Sequence, residues 1–457
     1  MLTCISTDSI NDATHTPAAS DTSLFTADSV KNAIVHRLGS LTLEDSLSTY
    51  HREIEPWFPI ISTTSLHNRL TQTCNTWGEV PLDIALLCIS IILVATPPPA
   101  SPENEHCLSD FKSTYCQVKT WISSTEVLGL NSPQIAQARV LATLFEVAHG
   151  LYPAAYISIG ATVNAADALT LHPGAAPRSP HSTGDENNWK REESALIWCG
   201  ILILDRYITV ESGSHPSLTR SRFQALQDLL EPVLRLTHSQ QQQDEPDISS
   251  RLTRLVEATT LLDKIHAILN SPTAEHQIDV EELIFTVQTV INFQTEIDKE
   301  VGDQACAHVS GLGPCNTALL LALENGTKVP PVAGALQDCN AVATNSLGSV
   351  ISTITTTVEL FTLGRQSIDL RMLPPFFTIL VYKTAAIITR ILLMNTSATT
   401  DGGDMKEYLR KLILLRNFLG IVGVRWLGCE RYLKMLDEDT TPRLLRAMGE
   451  GYAACGR

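Results

Sequence analysis

Apolar residues along this chain recur at steps of three and four far more often than they alternate, which is the pattern of helices. The run from Ile84 to Thr96, broken only by Ser90, reads as a buried helix that begins at Pro81 and stops at Pro97-Pro98-Pro99. Ser132-Pro133 is a helix start, with Ser as N-cap and Pro in the first turn, where its missing N–H costs nothing. The helix that follows sets Ala138, Leu141, Phe145 and Ala148 on one face and ends at Gly150. Further helices are expected at Pro153–Leu171, Trp189–Val210, Leu218–Leu236, Ile248–Leu269, Val280–Ile297, Leu319–Leu323, Val332–Leu363 and Phe376–Met394. Connectors are expected from Pro173 to Asn188 and at Gln240–Pro246.

The longest periodic stretch lies near the C-terminus. Tyr408, Leu412, Leu415, Leu419, Val422, Trp426, Cys429, Leu433 and Leu436 follow steps of four and three without a break, over roughly eight turns at 3.6 residues each. Such a stripe serves either as the seam of a coiled-coil dimer or as the inward face of a core helix. Trp426 and Cys429 suit the core better. Strands are scarce: Val350–Val358 is β-branched enough for one, but its neighbours read as helix. The fold class expected is all-α, one large irregular multi-helix domain over residues 46–453. Residues 1–45 are rich in Ser, Thr and Asp and are expected to form a flexible leader, with a short amphipathic helix at Asp28–Leu38. At Glu53-Ile54-Glu55-Pro56-Trp57-Phe58-Pro59-Ile60-Ile61 the texture turns aromatic and apolar.

Charge narrows the functions available. The formal charge is −16, and only Lys31, Arg37, Arg52 and Arg69 are basic in the first hundred residues. Sequence-independent affinity for nucleic acid rests on Lys and Arg neutralising phosphates, so direct DNA gripping is not expected here. The eleven cysteines include no C-x-x-C pair, so a structural zinc knuckle is not expected, and their scatter suits buried thiols in a reducing compartment. Met1–Asp12 has neither a basic nor an apolar signal region, and Phe376–Met394 is interrupted by Lys383 and Arg390. The chain therefore reads as intracellular, with no membrane partner.

The search for chemistry is mostly negative. No H-E-x-x-H, no G-x-S-x-G and no phosphate-binding G-x-x-x-x-G-K-[ST] occurs. His106-Cys107 with Cys116 lacks a fourth ligand, and Gly311-Leu312-Gly313-Pro314 has no strand leading into it. Asp437-Glu438-Asp439 is the one acidic run that an isoprenoid-type all-α enzyme would use for Mg²⁺, and no second such run accompanies it. No catalytic residue, metal or cofactor is assigned. The informative charges are Asp205-Arg206, embedded in Ala195–Ile208 with no other charge. Buried ions need specific partners, so a network locking two helices, or an effector contact, is expected there.

Trp198, Leu204-Asp205-Arg206, Gly213 and Pro216 resemble the hallmark of the fungal-specific transcription factor domain, the middle homology region of Zn2Cys6 binuclear-cluster regulators. Tyr156–Ala161 with Leu169-Thr170-Leu171-His172 resembles the preceding family helix, and His51–Ile61 its opening segment. The resemblance runs in order from about residue 48 to 440 and is densest over 134–220. It departs at Cys199, where a second Trp is usual, and at Gly213-Ser214-His215-Pro216, which has an extra residue and no Arg. The six-cysteine DNA reader has no counterpart in these residues. The resemblance implies a nuclear transcription regulator, with a biosynthetic gene cluster as the expected target. Its partners would be the transcription machinery or a DNA-binding protein, DNA being reached only indirectly or through an upstream zinc domain. An all-α enzyme with a helix-lined pocket, or a dimeric helical scaffold, are the rival readings.

Overall fold

A computed structural model describes residues 26–63, 66–67, 76–99, 105–169, 184–213, 215–222, 248–270, 279–301, 311–328, 335–362, 369, 372–395, 402–441, 444 and 448. Among these there are fourteen α-helices, one 3₁₀ turn and no strand, so the fold is all-α. In chain order the helices are α1 (Ala27–Leu38), α2 (Leu43–Glu53), α3 (Leu82–Ala95), α4 (Glu105–Val127), α5 (Pro133–Ala148), α6 (Tyr152–Ala168) and α7 (Gly184–Ser212). They continue as α8 (Ile248–Asn270), α9 (Val280–Val301), α10 (Leu312–Lys328), α11 (Ala335–Thr362), α12 (Pro375–Asn395), α13 (Gly402–Gly423) and α14 (Gly428–Glu438).

Local chemistry sets the starts. Thr26 and Thr42 each close a reciprocal capping box, with Ser29 and Asp45, and the Ser132 hydroxyl accepts the Ile135 N–H at 3.2 Å. Each such cap is worth about 1 kcal/mol. Two helices, α3 and α5, are buried almost all round, and they pack on each other at the centre. A helix apolar on every face belongs inside a large domain. The aromatic segment after α2 is folded around Tyr50. Its hydroxyl donates to the Phe58 carbonyl at 3.1 Å and accepts the Ile60 and Ile61 N–H groups at 2.8 and 3.0 Å. That arrangement drives Trp57 inward, where its ring meets Trp426 edge-on at 6.2 Å and Phe376 at 6.4 Å.

One continuous core therefore runs from Val30 to Met448, joining the beginning of the chain to its last helices. A second, smaller core lies among α8, α9 and α10, built on Leu262, Val290, Ile297, Cys315 and Ala318.

Several expectations are revised. The helix expected within the leader is α1, and Val30, Ile34 and Leu38 bury it against α3, while residue 45 falls inside α2. Residues 1–25 lie outside the described residues. Helix α4 was not foreseen, although Phe111, Tyr115, Val118 and Ile122 keep helical spacing within it. α7 begins at Gly184, inside the stretch expected to be a connector. Of the helix expected at Leu218–Leu236, Leu218 and Thr219 form a turn, Arg220–Arg222 a 3₁₀ turn, and the rest lies outside the described residues. Val350–Val358 is helical.

The long C-terminal stripe is not one helix. It breaks at Val424–Leu427 into α13 and α14, yet Leu412, Leu415, Leu419, Val422, Trp426 and Cys429 all face the core. A close approach follows the break. Gly428 passes so close to α5 that a Cβ there would sit 2.8 Å from the Ala148 carbonyl oxygen and 3.2 Å from Gly150 N. Most of the stripe packs inside the molecule, with Tyr408 and Leu433 half-buried at its edge.

α12 is the one helix among the described residues long and apolar enough to cross a membrane, and 72% of its most apolar window is buried inside the fold.

Candidate functional site

From Ala195 to Val210 every residue of α7 is buried. Opposite charges carried through that stretch must find their partners within the protein. Asp205, 2% exposed, finds them in the turn after Pro216. Its Oδ2 accepts the Ser217 hydroxyl at 2.6 Å, the Thr219 hydroxyl at 2.7 Å and the Thr219 N–H at 2.9 Å, while Oδ1 accepts the Leu218 N–H at 3.2 Å. Four hydrogen bonds from three residues thus converge on one buried carboxylate. Gly213 ends α7 at φ 72°, a conformation that only glycine adopts without strain, and so lets the chain double back towards Asp205. Pro216 is exposed and begins the segment whose next three residues bind the carboxylate.

Arg206 lies beside this turn, 1% exposed. Burial pushes its guanidinium down to about 10, opposed by the nearby charges of Asp263 and Asp205. Asp263 in α8 is itself gripped by both arms of Arg220, Nε to Oδ2 at 3.0 Å and Nη2 to Oδ1 at 2.7 Å. Two residues on, Arg222 pairs with Asp167 at the end of α6 and sets its guanidinium 5.6 Å from the ring centre of the buried Trp198. The Asp205 turn thus ties α6, α7 and α8 together in eight residues, 215–222.

The last turn of α7 reaches the other end of the chain. Glu211, its side chain 2% exposed, pairs with Arg431 of α14. Arg431 lies 4.8 Å from the ring centre of Tyr152, and Tyr432 stacks on Tyr382 at 4.6 Å. α7 packs tightly on the segment before it as well: a Cβ on Gly200 would come within 2.8 Å of Ile60 Cγ2.

The structure places Trp198, Asp205, Arg206, Gly213 and Pro216 in one neighbourhood, on α7 and the turn that leaves it. The residues that complete it, Ser217, Thr219, Arg220, Arg222, Asp167 and Asp263, were not singled out. Ser217 and Thr219 follow Pro216 directly, a signal for a hydroxyl-lined turn. Asp263, 58 residues from Asp205 by their numbers, leaves no trace in sequence spacing. Chemically the arrangement immobilises. Cys199, on the same helix, is pushed up to about 12 by burial, which disfavours its thiolate.

Elsewhere, Asp437 pairs with Arg416 at 2.5 Å and Glu438 lies 4.0 Å from Lys434. Cys116 is exposed on α4, and the side chains of His106 and Cys107 lie outside the described residues. No group of three or more His, Cys, Asp or Glu side chains among the described residues is arranged to hold a metal ion.

Residues 47–310 match the family model described as the fungal specific transcription factor domain, which takes in more than half of the chain and all of the Asp205 turn. Over 151 residues the chain is 32% identical to Transcription factor BOA15 of Botryotinia fuckeliana (strain B05.10), a stretch covering 33% of this chain and 79% of that protein. No solved structure matches the chain. The chain belongs to the fungal-specific transcription factor family.

Proposed function

We propose that this chain regulates transcription in the nucleus, without catalysis, and that its targets form a biosynthetic (secondary-metabolite) gene cluster. The match of residues 47–310 to the family domain carries the reading, and the likeness to a protein named as a transcription factor supports it. The helical body acts as the regulatory module, receiving an effector or a partner protein. It extends from α1 to α14 rather than stopping at residue 310, because Trp57 and Tyr207 from the matched part pack on Trp426 and Phe376 beyond it. DNA is reached through another protein, in keeping with a net charge of −16.

The test is chromatin immunoprecipitation of the tagged full chain, paired with DNA binding by the purified protein. Promoter-restricted peaks in the nucleus, with no salt-sensitive, sequence-selective binding by the purified chain, are expected. Absence from the nucleus and from promoters would refute regulation. Strong sequence-selective binding by the chain alone would refute indirect recruitment.

A further inference from the structure

Where the end of α3 meets α1 and α4, the side chains leave a half-open cavity of about 430 Å³. Its walls are mostly apolar: Ile89, Ile92 and Leu93 of α3, Pro97 in the turn that follows, and Phe111 of α4. Ile89, Leu93 and Phe111 are buried from solvent by the rest of the fold, so the floor of the cavity belongs to the main core. A concave apolar space of this volume is of the size that takes up a small organic molecule. Its empty walls forgo the dispersion contacts that a ligand would supply.

The polar groups on its rim decide what that molecule is. Arg37, near the end of α1, reaches α4, where its Nη2 donates to Asp110 Oδ1 at 2.8 Å, to the Asp110 carbonyl at 3.4 Å and to the Thr114 hydroxyl. The Thr114 hydroxyl in turn donates to the Asp110 carbonyl at 2.9 Å, and that of Thr96 donates to the Ile92 carbonyl at 2.7 Å. Both hydroxyls are therefore engaged. Arg37 still has donors to offer, because all its bonds among the described residues run through Nη2 and leave Nε and Nη1 unused. Its charge is already balanced by Asp110, so an anionic ligand would gain little net attraction and would bring its charge beside that carboxylate. A neutral oxygen acceptor would gain a charge-assisted hydrogen bond without that repulsion.

We propose that this cavity binds a neutral, mostly apolar small molecule whose carbonyl oxygen accepts from Arg37. Its floor lies against the residues that join the two ends of the chain. Phe111 meets His149 edge-on at 5.3 Å, and His149 meets Trp426 at 5.8 Å. Beside Leu93, the Val94 carbonyl accepts Arg425 Nη2 at 2.9 Å. A ligand pressed on Phe111 and Leu93 therefore steadies the approach of α13 and α14. That it acts as an effector rests on the regulatory reading; that it binds does not.

Equilibrium dialysis of the full chain against three probes of one shape tests the site: 2-acetylnaphthalene, 2-ethylnaphthalene and 2-naphthoate. The ketone is expected to bind about tenfold more tightly than the hydrocarbon, the worth of one hydrogen bond to a charged donor, and more tightly than the carboxylate. Arg37→Met should leave the melt nearly unchanged, since Asp110 is largely exposed, and should bring the ketone down to the hydrocarbon. Ile92→Phe, which fills the cavity from a half-buried wall, should weaken all three at least tenfold; if it lowers the melt, Arg37→Met decides alone. Bound ketone should also slow hydrogen exchange at Arg425–Leu427. The proposal is overturned if the ketone does not bind, if either other probe binds as well, if Arg37→Met keeps the preference, or if exchange at Arg425–Leu427 is unchanged. Promoter occupancy is measured without any probe, so the site and the regulatory reading fail separately.

Discussion

Asp205 and Thr219 meet twice, through the Thr219 N–H at 2.9 Å and its hydroxyl at 2.7 Å, and both bonds end on the same carboxylate oxygen. This contact fixes the exit of α7, and through Arg220 and Arg222 it fixes how α6 and α8 lie against that helix. Asp205→Asn keeps the shape but removes the charge and turns an amide N–H₂ towards donors. Breaking one partner of a buried charged network costs about 3 to 5 kcal/mol. Denaturant unfolding of the variant should show a loss in that range. Adding Arg206→Met tests the coupling: Asp205 supplies part of the negative charge beside Arg206, so the double variant should lose less than the sum of the two single losses, and a purely additive double variant would show the two charges to be independent.

The pairing of Trp57 with Trp426 makes a prediction about domain limits. If the matched residues 47–310 folded alone, Trp57, Tyr207 and His149 would each expose the ring face now covered by Phe376 or Trp426. The isolated 47–310 fragment should show no cooperative thermal transition. A sharp melt from that fragment would mean that the C-terminal helices are a separate layer. In the full chain Trp426→Ala should cost about 3 to 5 kcal/mol.

Gly428 and Gly200 both sit at close approaches, but they differ in what a methyl would strike. At Gly428 the obstacle is the Ala148 backbone carbonyl, which cannot move alone; at Gly200 it is the branch methyls of the Ile60 and Val140 side chains, which can give without moving the backbone. Gly428→Ala should therefore be the costlier change, at the upper end of the roughly 1 to 3 kcal/mol typical of overpacking. Melting temperatures of the two variants, measured side by side, give the order.

His149 adds a pH dependence. Burial, reinforced by the nearby Arg425, pushes its imidazole down to about 3, and Nδ1 accepts the Leu427 N–H at 3.3 Å, so the ring is neutral in the fold. The unfolded chain binds a proton here near pH 6.5 and the folded one does not until about 3. Stability contributed by this group is thus complete above pH 6.5 and falls as the pH drops towards 3, by at most about 1.4 kcal/mol per unit. Unfolding free energies of wild type and His149→Gln between pH 7 and 4 should converge as the pH falls. Parallel curves would show that His149 plays no part.

Much of the fold was legible because most of its helices follow local rules. Ser132-Pro133 capped α5, the prolines at 97–99 stopped α3, and both apolar runs ended up central. α4 escaped because its serines and threonines dilute a stripe that is nonetheless present at Phe111, Tyr115, Val118 and Ile122. The break between α13 and α14 was hidden for a different reason. Trp426 and Cys429 stay in phase across it, since the turn at Val424–Leu427 returns the chain to the same face of the core. At the site, Asp205 and Arg206 stood out as charges in an apolar run. Their partner Asp263 could not, because its side chain is brought there by the packing of α7 on α8.

Regulation of transcription is tested most directly by deleting the gene and profiling transcripts against the parent strain. The proposed function predicts a coordinated change in a limited set of genes, concentrated in one biosynthetic cluster and restored by the wild-type allele. An unchanged transcript profile, under conditions in which the protein is present in the parent, would contradict it.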